Sequence, residues 1–309
     1  MKTTRIAVIS DTHLAPEGLE SRSLFPHQLD KLTVTQACRL YDDLRNGIAE
    51  ANTVVMSAVC QNDEKWTALI HTGDATGGWQ ERGLVDQSVI DLAKKCVKQL
   101  NETTHNLHFC LGGHDTGYAH PGSLPGSGMS YSSLINCVEI FGDLWWFERY
   151  NDFCLLGICS PIASYSGSDN DLLHIQERQE RVVATKIAEL SETPWILFAH
   201  EPFLPNKMKP LLSGASKTCK AFIHGHRHDP KFTKFIRALG TVTRDPFLRV
   251  SHTCPSVTPL WWPGCGWMEI AIEKTKMTIK SHQVPVPESI AKLPTASFWR
   301  CLWWMLRPR

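Results

Sequence analysis

No cysteine pair stands at Cys-x-x-Cys spacing in this sequence, no apolar run approaches about 18 residues, and neither sign of charge is in excess. Each absence removes a class of function. Eleven cysteines are an odd number. Without paired spacing they suggest neither a complete disulfide framework nor a structural zinc knuckle, and scattered reduced thiols, mostly buried, are expected. The missing apolar run leaves no transmembrane helix, and residues 1–10 hold too short an apolar stretch for a secretory segment, so a cytoplasmic location is expected. Lysine plus arginine number 32 against 31 acidic residues, so no net field would hold nucleic acid along the surface. Any charged partner must be met locally. Gly77-Gly78 and the run Gly122 to Ser130 lack the Gly-Lys-Ser/Thr ending of a nucleotide P-loop and read as turns.

What is present is size and pattern. A chain of 309 residues can bury a substantial core, and one domain with insertions is the expected organisation. Short β-branched or apolar runs recur at 5–10, 68–71, 106–111, 195–199 and 220–224, each ending in polar residues, and read as buried strands. Between them lie helical stretches, clearest at 84–100 and 171–190. The alternation predicts an α/β layered fold. Residues 14–66 form a long insertion between the first two strands, helical from about 33 to 60, and 116–133 has the composition of a binding loop or lid. After residue 245 the pattern changes to strands at 247–251, 268–273 and 276–282 that look antiparallel. The predicted domain spans 1–285, followed by a tail.

Each of the five strand ends delivers metal-ligand chemistry: Asp11 and His13; Asp74 after Gly73; His114-Asp115 after Gly112-Gly113; His200; and His226 and His228 around Arg227. In open α/β sheets the carboxyl ends of strands converge on one crevice, so distant residues can meet there. Alternate side chains of an extended segment share a face, so Asp11 and His13 can touch one cation. His226 and His228 have the same spacing, though at a bend they could serve two adjacent ions. Mixed carboxylate and imidazole donors suit Mn, Fe or Zn better than Mg or Ca. Arg227 lies between two of these residues, where alternation turns it away from them.

The pattern resembles the calcineurin-like metallophosphoesterases, whose motifs run Asp-x-His, Gly-Asp, Gly-Asn-His-Asp/Glu, His and Gly-His-x-His. Order and spacing agree over about residues 5–230. The resemblance implies a four-layer αββα sandwich of two mixed sheets flanked by helices, with two divalent metals at the sheet ends. It assigns Asp11, His13 and His228 to one metal, His200 and His226 to the other, and Asp74 to the bridge. A metal-bridging hydroxide would attack phosphorus, and His114, held by Asp115, would assist the leaving group, so these two are the expected catalytic pair. A phosphodiesterase or pyrophosphatase is slightly favoured over a monoesterase, acting on a small phosphorylated substrate such as a nucleotide, a nucleotide-sugar or a lipid-linked phosphate.

One position departs from the family. Where the asparagine ligand of the second metal is expected, this chain has Gly113, which offers no side-chain donor, so weaker binding of that metal is predicted. The alternative is a catalytically weakened member of the fold that acts as a binding protein. Of the remaining histidines, His71 and His224 lie on apolar strands and read as packed, hydrogen-bonded residues. His120 and His252 are the better placed to touch substrate. The tail at 298–309 sets Phe298, Trp299, Leu302, Trp303 and Leu306 at helical spacing opposite Arg300 and Arg307. Such a segment suits peripheral contact with the inner membrane surface through 295–309, or packing on the core or on a second subunit.

Overall fold

Alternation along the strands sets the layers. A computed structural model describes residues 3–14, 51–61, 66–76, 82–117, 128–150, 152–190, 192–226, 232–257, 265–274 and 276–284. Ten strands are present among them: β1 (Thr4–Ile9), β2 (Ala68–His71), β3 (Leu107–Phe109), β4 (Trp146–Tyr150), β5 (Phe153–Gly157), β6 (Trp195–Ala199), β7 (Cys219–His224), β8 (Ser251–Thr253), β9 (Cys265–Glu273) and β10 (Lys276–Val284). They form two five-stranded sheets, ordered β10-β9-β1-β2-β3 and β4-β5-β6-β7-β8. Both are mixed. β1, β2 and β3 run parallel while β9 and β10 form an antiparallel hairpin on β1, and β5 to β8 run parallel with β4 antiparallel at the edge.

Successive side chains of a strand face opposite sides, and here both sides are buried. Ile6 and Val8 of β1, Ile70 of β2, Phe153 and Leu155 of β5, Ile196 and Phe198 of β6 and Ile223 of β7 share one core between the sheets. Ala7, Ile9 and Leu69 point the other way, into a second core with Val89, Ala93, Cys96 and Leu100 of helix Gln87–Asn101. Leu197 and Phe222 face a third core with Val183 and Ile187 of helix Asn170–Ala188. Helix, sheet, sheet, helix is the result, as the resemblance implied.

The helices begin where local chemistry satisfies their free N–H groups. The Asp169 side chain accepts from Asp171 N and Leu172 N, and helix Asn170–Ala188 then buries Leu172, Gln176, Gln179, Val183 and Ile187 at three- and four-residue steps. Ser130 and Ser133 cap each other reciprocally at the start of helix Tyr131–Phe141.

One expected strand is a correction. Residues 246–249 form a short helix, and the strand β8 starts only at Ser251. Asp245 accepts from Phe247 N and Leu248 N, and Pro246 supplies the fixed φ of a first helical residue, so the apolar run that follows is wound rather than extended. β8 also runs parallel to β7 rather than antiparallel. Residues 51–60 are helical, within the expected 33–60. The rest of the 14–66 insertion, most of the 116–133 loop and the tail lie outside the described residues. Among the described residues no helix is long and apolar enough to cross a membrane.

Candidate metal centre

The carboxyl ends of β1, β2, β3, β6 and β7 meet where the two sheets adjoin, and the loops leaving them carry the residues singled out above. The backbone there is unusual. Six described residues other than glycine have positive φ, and four of them are Asp11, His13, Asp74 and His226. A left-handed backbone at a residue with a Cβ costs about 1–2 kcal/mol, so such residues persist where their surroundings force them, typically at functional sites.

The loops are laced by main-chain bonds. Asp11 N donates to Gly73 O (2.9 Å) and His13 N to Asp74 O (3.1 Å), joining the first two motifs. His226 N donates to Asp11 Oδ2 (3.1 Å) across the two sheets, and Ser10 Oγ donates to the same oxygen. His114 N donates to Asp74 Oδ1 (2.9 Å). Glycine is required at two of these crossings. A Cβ on Gly112 would fall on the Asp74 carboxylate, and one on Gly73, whose φ is +102°, would stand 2.6 Å from His200 Nδ1.

Side chains then converge. Asp11 Oδ1 lies 3.5 Å from His13 Nε2, and both residues are almost fully buried. His13, Asp74 and His114 each present a donor atom to one cluster within 4.8 Å, and Asp74, His200 and His226 to a second. Asp74 belongs to both. The His13 and His114 rings meet edge-on with centroids 5.0 Å apart, and those of His200 and His226 at 5.1 Å. His228 and Arg227 lie outside the described residues.

His200 is the most informative member. Its Nδ1 lies 2.9 Å from Thr72 O, an atom that only accepts, so Nδ1 carries a hydrogen. Nε2 then faces Asp74 Oδ2 at 3.0 Å. In the neutral ring that is a lone pair against a carboxylate oxygen, which requires a cation between or beside them, either a proton or a metal. Burial opposes charge on the imidazole, but Asp74 outweighs it and raises the His200 pKa to about 10 when a proton is the cation. The same pairing holds Asp74 well below the usual carboxylate range in spite of its burial. His13 moves the other way, its pKa lowered mainly by burial, which keeps its ring neutral and available as a donor of a lone pair.

Around this cluster, His71 and His224 are structural, as expected. Gly73 N donates to His71 Nδ1 (3.1 Å), which leaves Nε2 to donate to Thr12 Oγ1 (3.2 Å). Burial lowers the His71 pKa to about 3. His224 Nε2 pairs with Ser251 Oγ at 2.7 Å. His252 Nε2 is taken by Arg237 Nη2. His120 lies outside the described residues.

Asp115 is a correction of role. Its carboxylate accepts from Thr76 N (3.0 Å), Thr76 Oγ1 (3.2 Å) and Gly112 N (3.0 Å), not from the His114 ring. His114 and Asp115 are consecutive in the helical turn Gly113–Thr116, where neighbouring side chains diverge by about 100°. Burial, and then the Asp74 charge, push its pKa up to about 6. Thr76, Thr12 and Ser10 were missed by sequence reasoning, since a hydroxyl in a loop carries no spacing signal. Gly113 is buried as the first residue of that turn.

Two mixed sheets with carboxylate and imidazole groups gathered at adjoining strand ends define an α/β protein with two candidate metal-donor clusters. The family model described as calcineurin-like phosphoesterase matches residues 4–230, and the chain belongs to that family. Similar solved structures include one titled GAP50, the anchor in the inner membrane complex of Plasmodium. It is 11% identical, with 93% of this chain and 90% of that one covered and a TM-score of 0.49. Vacuolar protein sorting 29 from Cryptosporidium parvum is 10% identical, with 92% and 98% covered and a TM-score of 0.32. A metallophosphoesterase from Sphaerobacter thermophilus is 13% identical, with 94% and 95% covered and a TM-score of 0.37. A comparison with curated proteins finds no match.

Proposed function

We propose that the chain hydrolyses a phosphate ester at a centre of two divalent ions, with Asp74 shared between them. The observation that carries this reading is the His200–Asp74 pair. A ring nitrogen fixed as a lone-pair donor by Thr72 faces a carboxylate oxygen at 3.0 Å, and the same carboxylate belongs to both donor clusters. The donor set therefore fits the metals that the family implies. Asp11, His13, Asp74 and His228 would hold one ion, and Asp74, His200 and His226 the other. Such ions act as Lewis acids on phosphoryl oxygens and lower the pKa of attacking water.

The protein's own contribution is placement. The left-handed backbone at Asp11, His13, Asp74 and His226 turns their side chains inward from strand ends. Burial of Asp11, His13, Asp74 and His200 excludes bulk water from the floor of the site. His114, which shares a cluster with His13 and Asp74, is the group to give a proton to the leaving oxygen, a role typically worth about 10²–10⁴-fold. With Gly113 in place of a ligand, the second ion has three protein donors and exchanges more readily. A phosphodiester or pyrophosphate is the favoured substrate, and Mn, Fe or Zn the favoured metal.

The test is metal content and turnover together. Purified protein titrated with Mn²⁺ should take up two ions per chain, the second more weakly, and should hydrolyse members of a panel of phosphomonoesters, phosphodiesters and nucleotide diphosphates. His114→Ala should lower the rate by at least about tenfold with uptake retained. Gly113→Asn should tighten the second ion. Full occupancy with no turnover on any ester would favour the alternative, a binding protein on this fold.

A further inference from the structure

We infer that Asp115 is a positioning residue for the metal centre, acting through Asp74 and not through the His114 ring. This rests on the two-ion reading above. The loop after β2 and the turn after β3 are joined by two carboxylates that reach across in opposite directions. Asp74, on the first, accepts from His114 N on the second. Asp115, on the second, accepts from Thr76 N on the first, and from Thr76 Oγ1 and its own turn's Gly112 N. Each segment thus satisfies the other's main chain, and both carboxylates are buried.

The clasp decides where Asp74 points. One of its oxygens is fixed by the His114 amide and the other lies against His200, so the carboxylate plane follows the position of the turn 112–116. Leu84 N and Cys137 Sγ on Asp115 O and Ser133 Oγ on Thr116 O hold the other side of that turn, and the two carboxylates tie it to the loop that carries Asp74. Gly112 must stay close, because its backbone passes beside the Asp74 carboxylate where no Cβ fits. Asp115 holds Gly112 N and Thr76 N together at 3.0 Å each, which keeps the two segments at that spacing. Loss of the Asp115 acceptor lets them separate, and the oxygen shared by the two ions moves with them. Outer partners that orient ligating carboxylates typically account for about 10–100-fold in metal affinity. His114 enters the clasp through its main chain, its N–H donating to Asp74 Oδ1 and its carbonyl lying 3.5 Å from Thr76 Oγ1.

Calorimetric titration of the metal-free protein with Mn²⁺ separates the possibilities. Wild type that takes up no Mn²⁺ overturns the proposed function itself. Given uptake, Asp115→Asn, which keeps shape but replaces one acceptor oxygen with a donor, should weaken Mn²⁺ binding by about 10–100-fold. At saturating Mn²⁺ the dependence of its rate on the leaving-group pKa of aryl phosphates should match wild type. Unchanged Mn²⁺ affinity with a steeper leaving-group dependence would overturn the inference and return Asp115 to the His114 ring. Thr76→Val, which keeps the amide and removes the hydroxyl bond, gives a milder version if Asp115→Asn does not fold. It should weaken Mn²⁺ in the same direction by a few-fold, about the loss of one hydrogen bond, and no loss would count against the clasp.

Discussion

His226 sets the terms at the scale of single residues. Its φ of 62° is a conformation that glycine adopts freely and that any Cβ disfavours. In most secondary structure glycine is the destabilising choice, and here the order should reverse. Metal-free His226→Gly is expected to be more stable than metal-free His226→Ala by about 1 kcal/mol in urea unfolding, since both lose the ring and only alanine keeps the strain. Equal stabilities would mean that the backbone relaxes once the ring is gone. The candidate ligands were legible in the sequence and their supports were not. Asp11, His13, Asp74, His200 and His226 stand at ends of strands whose apolar runs announce themselves, with glycines at fixed offsets. Thr76 and Ser10 matter only because two segments far apart in the chain pass within hydrogen-bond distance, and no local pattern records that. Asp115 was located, but the role that the resemblance implied for it differs from its contacts, which are with Thr76 and Gly112.

At the scale of elements, one contact that docks β8 on its neighbouring helix is sensitive to pH. Arg237 on helix Phe232–Thr243 donates through Nε to Ser251 O (2.8 Å) and through Nη2 to His252 Nε2, tying the helix to the last strand of the second sheet. His252 must be neutral to accept, and burial followed by the Arg237 charge lowers its pKa from 6.5 to about 4. The unfolded chain binds that proton more readily, so the contribution of this contact is fully present above pH 6.5 and is lost as the pH falls toward 4. Between pH 7 and pH 5 wild type should lose on the order of 1–2 kcal/mol more than His252→Gln, read from urea midpoints at both pH values. Parallel losses in the two proteins would remove His252 as the cause. The elements themselves were largely legible where both faces of a strand are buried, because β2 and β6 are unbroken apolar runs. Edge strand β4 was not, since Glu148 and Arg149 interrupt it and one side is half exposed, and β5, buried along its length, was also missed. The misread at 247–251 came from weighing apolar content above the Asp245-Pro246 start signal that precedes it.

For the molecule as a whole, the direction of β10 matters most. β10 is antiparallel to β9 and β9 to β1, so β10 runs with β1 and ends at the edge of the sheet where the candidate centre lies. By register, Val284 pairs with Cys265 about level with Asp11, two strands aside, a lateral distance of roughly 10 Å. Val284 is the last described residue, and residues 295–309 lie outside the described part of the chain. Their sequence combines Phe298, Trp299, Trp303 and Trp304 with Arg300, Arg307 and Arg309, and no acidic residue follows Glu288. A surface-bound segment of this kind gains from buried aromatic area and about 1 kcal/mol per basic residue at an anionic surface. Binding through this segment would raise the local concentration of a lipid-linked phosphate over that of a free nucleotide. The protein should sediment with phosphatidylglycerol vesicles at low salt and be released as salt is raised. Removal of 295–309 should abolish sedimentation and slow hydrolysis of a vesicle-borne phosphate ester while leaving a soluble aryl phosphate unaffected. Unchanged vesicle binding dismisses the membrane role. A truncated protein that unfolds, or changes its oligomeric state without ever having bound vesicles, assigns the aromatic residues to the core or to a second subunit instead.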